Sequence, residues 1–122
     1  MKAFAVSVIL LLVLLLGILG NYWYINTLGD RMEATLETIP DIGEDGCAEA
    51  VESFLALWET HAATVGLSVA FPTVDRLSEQ AQTLLVCAKT GDTFGFAVAR
   101  GLLRDAIDDM RRLEAFSIAN LL

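Results

Sequence analysis

Basic residues are scarce in this chain. Eight lysines and arginines stand against sixteen aspartates and glutamates, a formal net charge of −8 over 122 residues. Lys2 is the only base before Arg31, so the rest of the chain carries sixteen acids against seven bases, a net of −9. A surface of that sign repels nucleic acid and anionic lipid, which excludes nucleic-acid binding. There is one histidine, His61, so the paired Glu-x-x-His sites of helical carboxylate metal proteins cannot be built. Without a motif around it, His61 reads as a solvated or packed side chain. The two cysteines, Cys47 and Cys87, are 40 positions apart with no base adjoining either, unlike a Cys-x-x-Cys redox pair. No Gly-x-Ser-x-Gly, phosphate loop or dinucleotide fingerprint occurs. No apolar-polar alternation marks a strand, and Pro40 and Pro72 are the only prolines.

What the chain does have is one long apolar run. Ala3 to Gly20 is broken only by Ser7, and Tyr22, Trp23 and Tyr24 follow. A run of that length without a charge suits a helix crossing a bilayer, with the aromatic trio at the head groups. Small-x-small cleavage sites are poor: cutting after Gly20 puts Ile18 at the third position back, and cutting after Gly17 puts Leu15 there. No cysteine follows the run for lipid processing. The run is therefore expected to be a retained anchor rather than a removed signal. Lys2 and the amino terminus are cationic, whereas Asp30, Glu33 and Glu37 follow the span. That asymmetry predicts a cytoplasmic N-terminus and an external body. Residues 1–25 form the start and anchor, with lipid contact over residues 3–25; residues 26–122 form one extracytoplasmic domain.

The body reads as helices throughout. Ile25, Leu28, Met32, Leu36 and Ile39 recur at steps of three and four, which continues the first helix out of the membrane. Pro40 stops it, and residues 40–46 read as a loop. A second helix runs from Cys47 to Val65, with the apolar face Cys47, Val51, Phe54, Leu55, Trp58, Ala62 and Val65. Asp45 is its candidate cap, and Gly66 its left-handed stop. A third helix starts near Pro72 or Thr73, with the stripe Val74, Leu77, Ala81, Leu84, Leu85 and Ala88, and ends at Gly91. Asp92 caps a fourth, which carries Phe96, Ala99, Leu103, Ala106, Ile107, Met110 and Leu113. The Gly91-Asp92 junction is short enough to make those two helices antiparallel neighbours. The fold class is all-α: a single N-terminal transmembrane helix continuing into an antiparallel up-and-down four-helix bundle.

Helix lengths then set heights. The external part of the first helix is about 22 Å and the second about 28 Å, at 1.5 Å per residue. The second thus returns to the level of Tyr22 to Tyr24. The connection that follows, residues 65–71, is apolar for a loop, so Leu67, Val69 and Phe71 are expected at the bilayer interface or over the open end of the bundle. The same holds for Phe116, Ile118, Leu121 and Leu122. Cys47 and Cys87 fall at one height at the other end. They are either a disulfide, closing a loop of about 40 residues and contributing roughly 4 kcal/mol, or two buried thiols.

Two sets of charges remain. Glu49-x-x-Glu52 and Asp105-x-x-Asp108-Asp109 place acids one turn apart, a spacing open to a divalent cation or to a solvated face. Arg100, Arg104 and Arg111 share one face of the fourth helix and form the only basic stripe. They are expected to pair with Asp108 or with Glu49, Glu52 and Glu59 of the second helix, or else to form a partner interface.

The short basic start and anchor, Trp58 within the second helix, the Gly91-Asp92 hairpin and the closing Ser117-Ile118-Ala119-Asn120-Leu121-Leu122 resemble an uncharacterised family of small bacterial proteins with one N-terminal membrane anchor and a helical body. In that family a histidine is common at the start of the third helix. Phe71 takes its place here, so no role for that histidine carries over. The resemblance implies an anchored four-helix architecture in a bacterium and supplies no activity. The expectation is a non-enzymatic structural or protein-interaction module of the envelope, without a cofactor, with an unknown protein partner and with self-association possible through Gly17 and Gly20. The alternative is an extracytoplasmic small-ligand sensor, or an accessory subunit of a signalling or transport complex.

Overall fold

The computed structural model describes residues 1–66 and 71–121, with side chains for 1–66 and 72–113. Four helices make up the fold: α1 (Lys2–Glu37), α2 (Cys47–Val65), α3 (Phe71–Thr90) and α4 (Thr93–Leu121). Each helix packs on its neighbours in chain order, and α4 closes the ring on α1. The α3–α4 interface is the most extensive and α1–α2 the least. Cross-helix pairs give the directions. Tyr24 meets His61, Glu52 meets Lys89, Arg76 meets Asp109, and Asp30 meets Arg111. At α2–α3 and α3–α4 an early position faces a late one, Tyr24 at the start of the packed part of α1 faces the end of α2, and Asp30 and Ile39 meet Arg111 and Arg100 in reverse order, which is the up-and-down arrangement.

The core begins where the apolar run ends. Ile25, Leu28, Met32, Leu36 and Ile39 are buried against Val51, Phe54, Trp58, Leu77, Leu84, Leu103 and Ile107. Below them, residues 3–14 of α1 are all exposed and pack on nothing in the described structure. This segment is long and apolar enough to cross a membrane.

Local chemistry explains the ends of the helices. At the end of α1, the Thr38 hydroxyl and amide donate to carbonyls of the last turn, and Pro40 follows. The cap of α2 is Gly46, not Asp45 as the sequence suggested. Gly46 sits at φ +84°, where a side chain is penalised, and its carbonyl accepts from Ala50 N–H. Gly66 does end α2, but in the right-handed region at φ −61°, so the expected left-handed stop is absent.

The α3–α4 corner follows the sequence closely. Gly91 lies at φ +76° and Asp92 N–H donates to Cys87 O at 3.1 Å, a Schellman closure. Asp92 then starts α4, its Oδ1 accepting from Gly95 N–H at 2.9 Å. Asp92→Ala is expected to destabilise the full chain in detergent by about 1 kcal/mol, and Asp92→Asn by less. Thermal unfolding of the three proteins measures this, and an unchanged Tm for Asp92→Ala would contradict the cap.

Leu113 departs from the expected core face and is exposed. It stands eleven residues, three helical turns, from Leu102, which is exposed as well. Both belong to the outer side of α4.

Candidate interaction surface

The inward stripe of α4 is accompanied by a second apolar stripe on its outer side. Phe94, Val98 and Leu102 follow at steps of four, are all exposed, and Phe94 has 80% of its surface open. Ala97 and Gly101 lie beside them. Val86 of α3 is exposed at about the same height. Large apolar side chains aligned on one face of a strongly acidic protein are not scattered surface residues. The sequence carries this signal as a second period of four within α4, offset from the core period.

Next to this stripe a pocket of about 320 Å³ opens between α4 and the α1–α2 loop, lined by Asp41, Ile42, Thr93, Phe96, Arg100 and Arg104 among others. Arg100 forms its wall. The guanidinium lies 4.6 Å from the Phe96 ring centroid and donates to Ile39 O at 3.1 Å and Pro40 O at 3.4 Å. An ion pair with Asp41 at 3.4 Å completes the set. Arg100 therefore pins the loop to α4. Arg104 has no ion pair among the described residues and is exposed.

Arg111 is used differently. Its side chain crosses α1 directly over Gly29, where an added Cβ would stand 2.2 Å from Nε. Nη2 then lies 3.0 Å from Asp30 and 3.4 Å from Glu33. Neither contact has hydrogen-bond geometry, and Nε and Nη2 are buried without a hydrogen-bond partner, so the attraction is coulombic. Arg100 and Arg111 thus pair with α1 and the loop after it, not with Asp108 or with Glu49, Glu52 and Glu59 of α2 as the sequence suggested, and Arg104 pairs with none of these acids. The reason is the ring order: α4 lies beside α1 and α3, diagonal to α2.

Of the acids in the spaced pairs, Glu52 and Asp109 are engaged by bases. Glu52 meets Lys89, and Asp109 meets Arg76 and Arg112. Among the described residues no group of three or more His, Cys, Asp or Glu is placed to hold a metal ion. Glu33 shares a hydrogen bond with Asp108 across α1 and α4. That bond raises the Glu33 carboxyl above its ordinary 4.5, helped by burial and by the charges of Asp108 and Asp30, while Arg111 pulls the other way. A carboxyl that holds its proton more tightly when folded stabilises the fold at acid pH. The stability is full below the unfolded value and is lost as pH rises through the raised one. The Tm of the full chain is therefore expected to fall as pH rises above about 4.5, and Glu33→Gln to flatten that fall. Parallel pH slopes for both proteins would contradict the shared proton.

The aromatic trio divides. Trp23 is exposed, Tyr22 is partly buried and Tyr24 turns into the bundle, with its hydroxyl 2.7 Å from His61 Nδ1. His61 is thus a packed, hydrogen-bonded residue, and the end of α2 stands level with Tyr24, as the helix lengths implied. Cys47 and Cys87 are both buried, each as a free thiol. Burial pushes the Cys47 thiol up, against the pull of Arg100, which leaves it a weak nucleophile. Leu67, Val69 and Leu122 lie outside the described residues, as do the side chains of Phe71, Phe116, Ile118 and Leu121.

No family model, curated protein or solved structure matches this chain. Outside α1 and Met1, the exposed large apolar side chains among the described residues gather on α4, as Phe94, Val98, Leu102 and Leu113, with Val86 of α3.

Proposed function

We propose that this chain is a non-enzymatic interaction module of the bacterial envelope. Its apolar N-terminal helix is retained in the cytoplasmic membrane with the N-terminus inside, and the acidic bundle stands outside. The outer side of α4 is the docking face for a protein partner. The observation that carries this reading is the stripe Phe94, Val98 and Leu102, apolar, aligned and open on a body whose net charge is −9. An interface core wants such side chains, stripped of charge and rimmed by polar groups. Here Arg104 and Asp105 supply the rim.

A photo-crosslinking residue at position 98 or 102 of the membrane-bound full chain tests this. Adducts should form from these positions and not from the exposed position 59 of α2. With the probe at position 98 Leu102→Glu should abolish them, and with the probe at position 102 Val98→Glu should, each changing stability by less than about 0.5 kcal/mol because neither side chain is in the core. Adducts that survive both substitutions would sink the docking face. The pocket beside Arg100 and Arg104 favours the second reading, a small-ligand sensor or accessory subunit. A ligand-dependent rise in Tm that Arg104→Gln removes would support it.

A further inference from the structure

A second cleft lies at the opposite end of the bundle, close to the apolar run. It measures about 210 Å³ and is lined by Trp23, Tyr24, Thr27, Leu28 and Arg31 of α1 and by His61 of α2. The five α1 positions fall on one helical face at steps of three and four. Arg31 is exposed and has no ion pair among the described residues. That is notable in a body with sixteen acids, where Arg76, Lys89, Arg100, Arg111 and Arg112 are all paired. His61 offers one ring nitrogen to the Tyr24 hydroxyl at 2.7 Å, which fixes the ring and leaves the other nitrogen uncommitted to it.

From these observations we infer that the cleft binds the phosphate of a phospholipid head group. The inference rests on the membrane anchoring proposed above. The lining combines what such a group needs: a free guanidinium for the phosphate oxygens, the Thr27 hydroxyl and the one outward proton of the Tyr24–His61 pair as further donors, and apolar surface from Leu28 and Trp23. Height agrees with this. Trp23 to Arg31 spans eight residues, about 12 Å along the helix. Side chains on a helix lean toward its N-terminus, so Arg31 leans down toward the tryptophan. The net charge of −9 penalises an anionic lipid at the same surface, so a zwitterionic head group suits the cleft best.

The test uses the full chain in a maltoside detergent, with native mass spectrometry to count bound lipid. The probes are phosphatidylethanolamine, the matched diacylglycerol and inorganic phosphate. The wild-type chain should retain phosphatidylethanolamine at least tenfold better than diacylglycerol, and should not be emptied by millimolar phosphate. Arg31→Gln should remove that preference. Arg104→Gln, which alters the other unpaired arginine at the far end, should leave it intact. Equal retention of both lipids, or a preference unchanged in Arg31→Gln, overturns the lipid site. Displacement by inorganic phosphate overturns the lipid as its ligand. A chain that fractionates as soluble overturns the anchoring, which separates that failure from the failure of the cleft.

Discussion

Replacing Trp58 by alanine is expected to cost about 3–5 kcal/mol of stability, the largest effect of any single substitution in the body. Trp58 is fully buried, has the greatest volume of the buried side chains, and sits on α2 where α2 meets α3. Its indole N–H donates to Ser78 Oγ at 2.8 Å, so both the ring and its one polar atom are satisfied. Truncation removes apolar contact and leaves a cavity that rigid helices on each side can only partly close. A domain of this size has about 5–15 kcal/mol in all, so the variant should be close to unfolding at 37 °C. Trp58→Phe keeps most of the ring and forgoes the bond to Ser78. Ser78→Ala should cost about 1 kcal/mol. Chemical unfolding of the full chain in detergent measures all three. A loss below 1 kcal/mol for Trp58→Ala would mean that this tryptophan is not in the core.

Gly29→Ala is the second large effect, and its sign is set by two opposed quantities. Alanine is the better helix former by about 1 kcal/mol, which alone would stabilise α1. Against this, the new Cβ would fall on Nε, Cγ and Cζ of Arg111, along the length of that side chain rather than at its flexible tip. Arg111 must leave its track, and with it go the attractions to Asp30 and Glu33. Overpacking of this kind costs about 1–3 kcal/mol, and the lost cation leaves Glu33 and Asp108 facing each other with less compensation. The net expectation is a loss of about 1–2 kcal/mol. In the background Arg111→Ala the clash is gone, and Gly29→Ala should turn neutral or stabilising. That reversal is the signature to look for in a double-mutant cycle. Additive effects would show that Arg111 does not cross Gly29.

The sequence made the scaffold readable because much of it is encoded locally. The face Ile25, Leu28, Met32, Leu36 and Ile39 is buried in full, and α2 begins and ends at Cys47 and Val65 as its periodicity implied. Gly91 and Asp92 each have a conformational preference strong enough to place a corner without help from the rest of the chain. What could not be read was which helix lies across from which. Periodicity leaves Asp108 and the acids of α2 open as partners of the α4 arginines, yet α2 is the diagonal neighbour, and only the order around the ring decides that. The notch at Gly29 has no sequence signature, because a glycine within a helix does not announce the side chain that will cross it. The outer stripe was legible in principle. A helix with two apolar periods looks like one broad hydrophobic face, and the exposure of Phe94 and Leu102 appears only once their neighbours are in place. The cleft at Arg31 needed both the pairing of Tyr24 with His61 and the pairing of nearly every other base.

The proposed function requires α1 to be retained in a membrane with the acidic bundle on its outer side. Protease added to intact bacterial spheroplasts that carry the full chain tests this most directly. The account predicts that the body is digested from outside while a fragment containing residues 3–20 stays with the alkali-washed membrane. A body protected until the cells are broken, or a soluble chain beginning after residue 20, would contradict it.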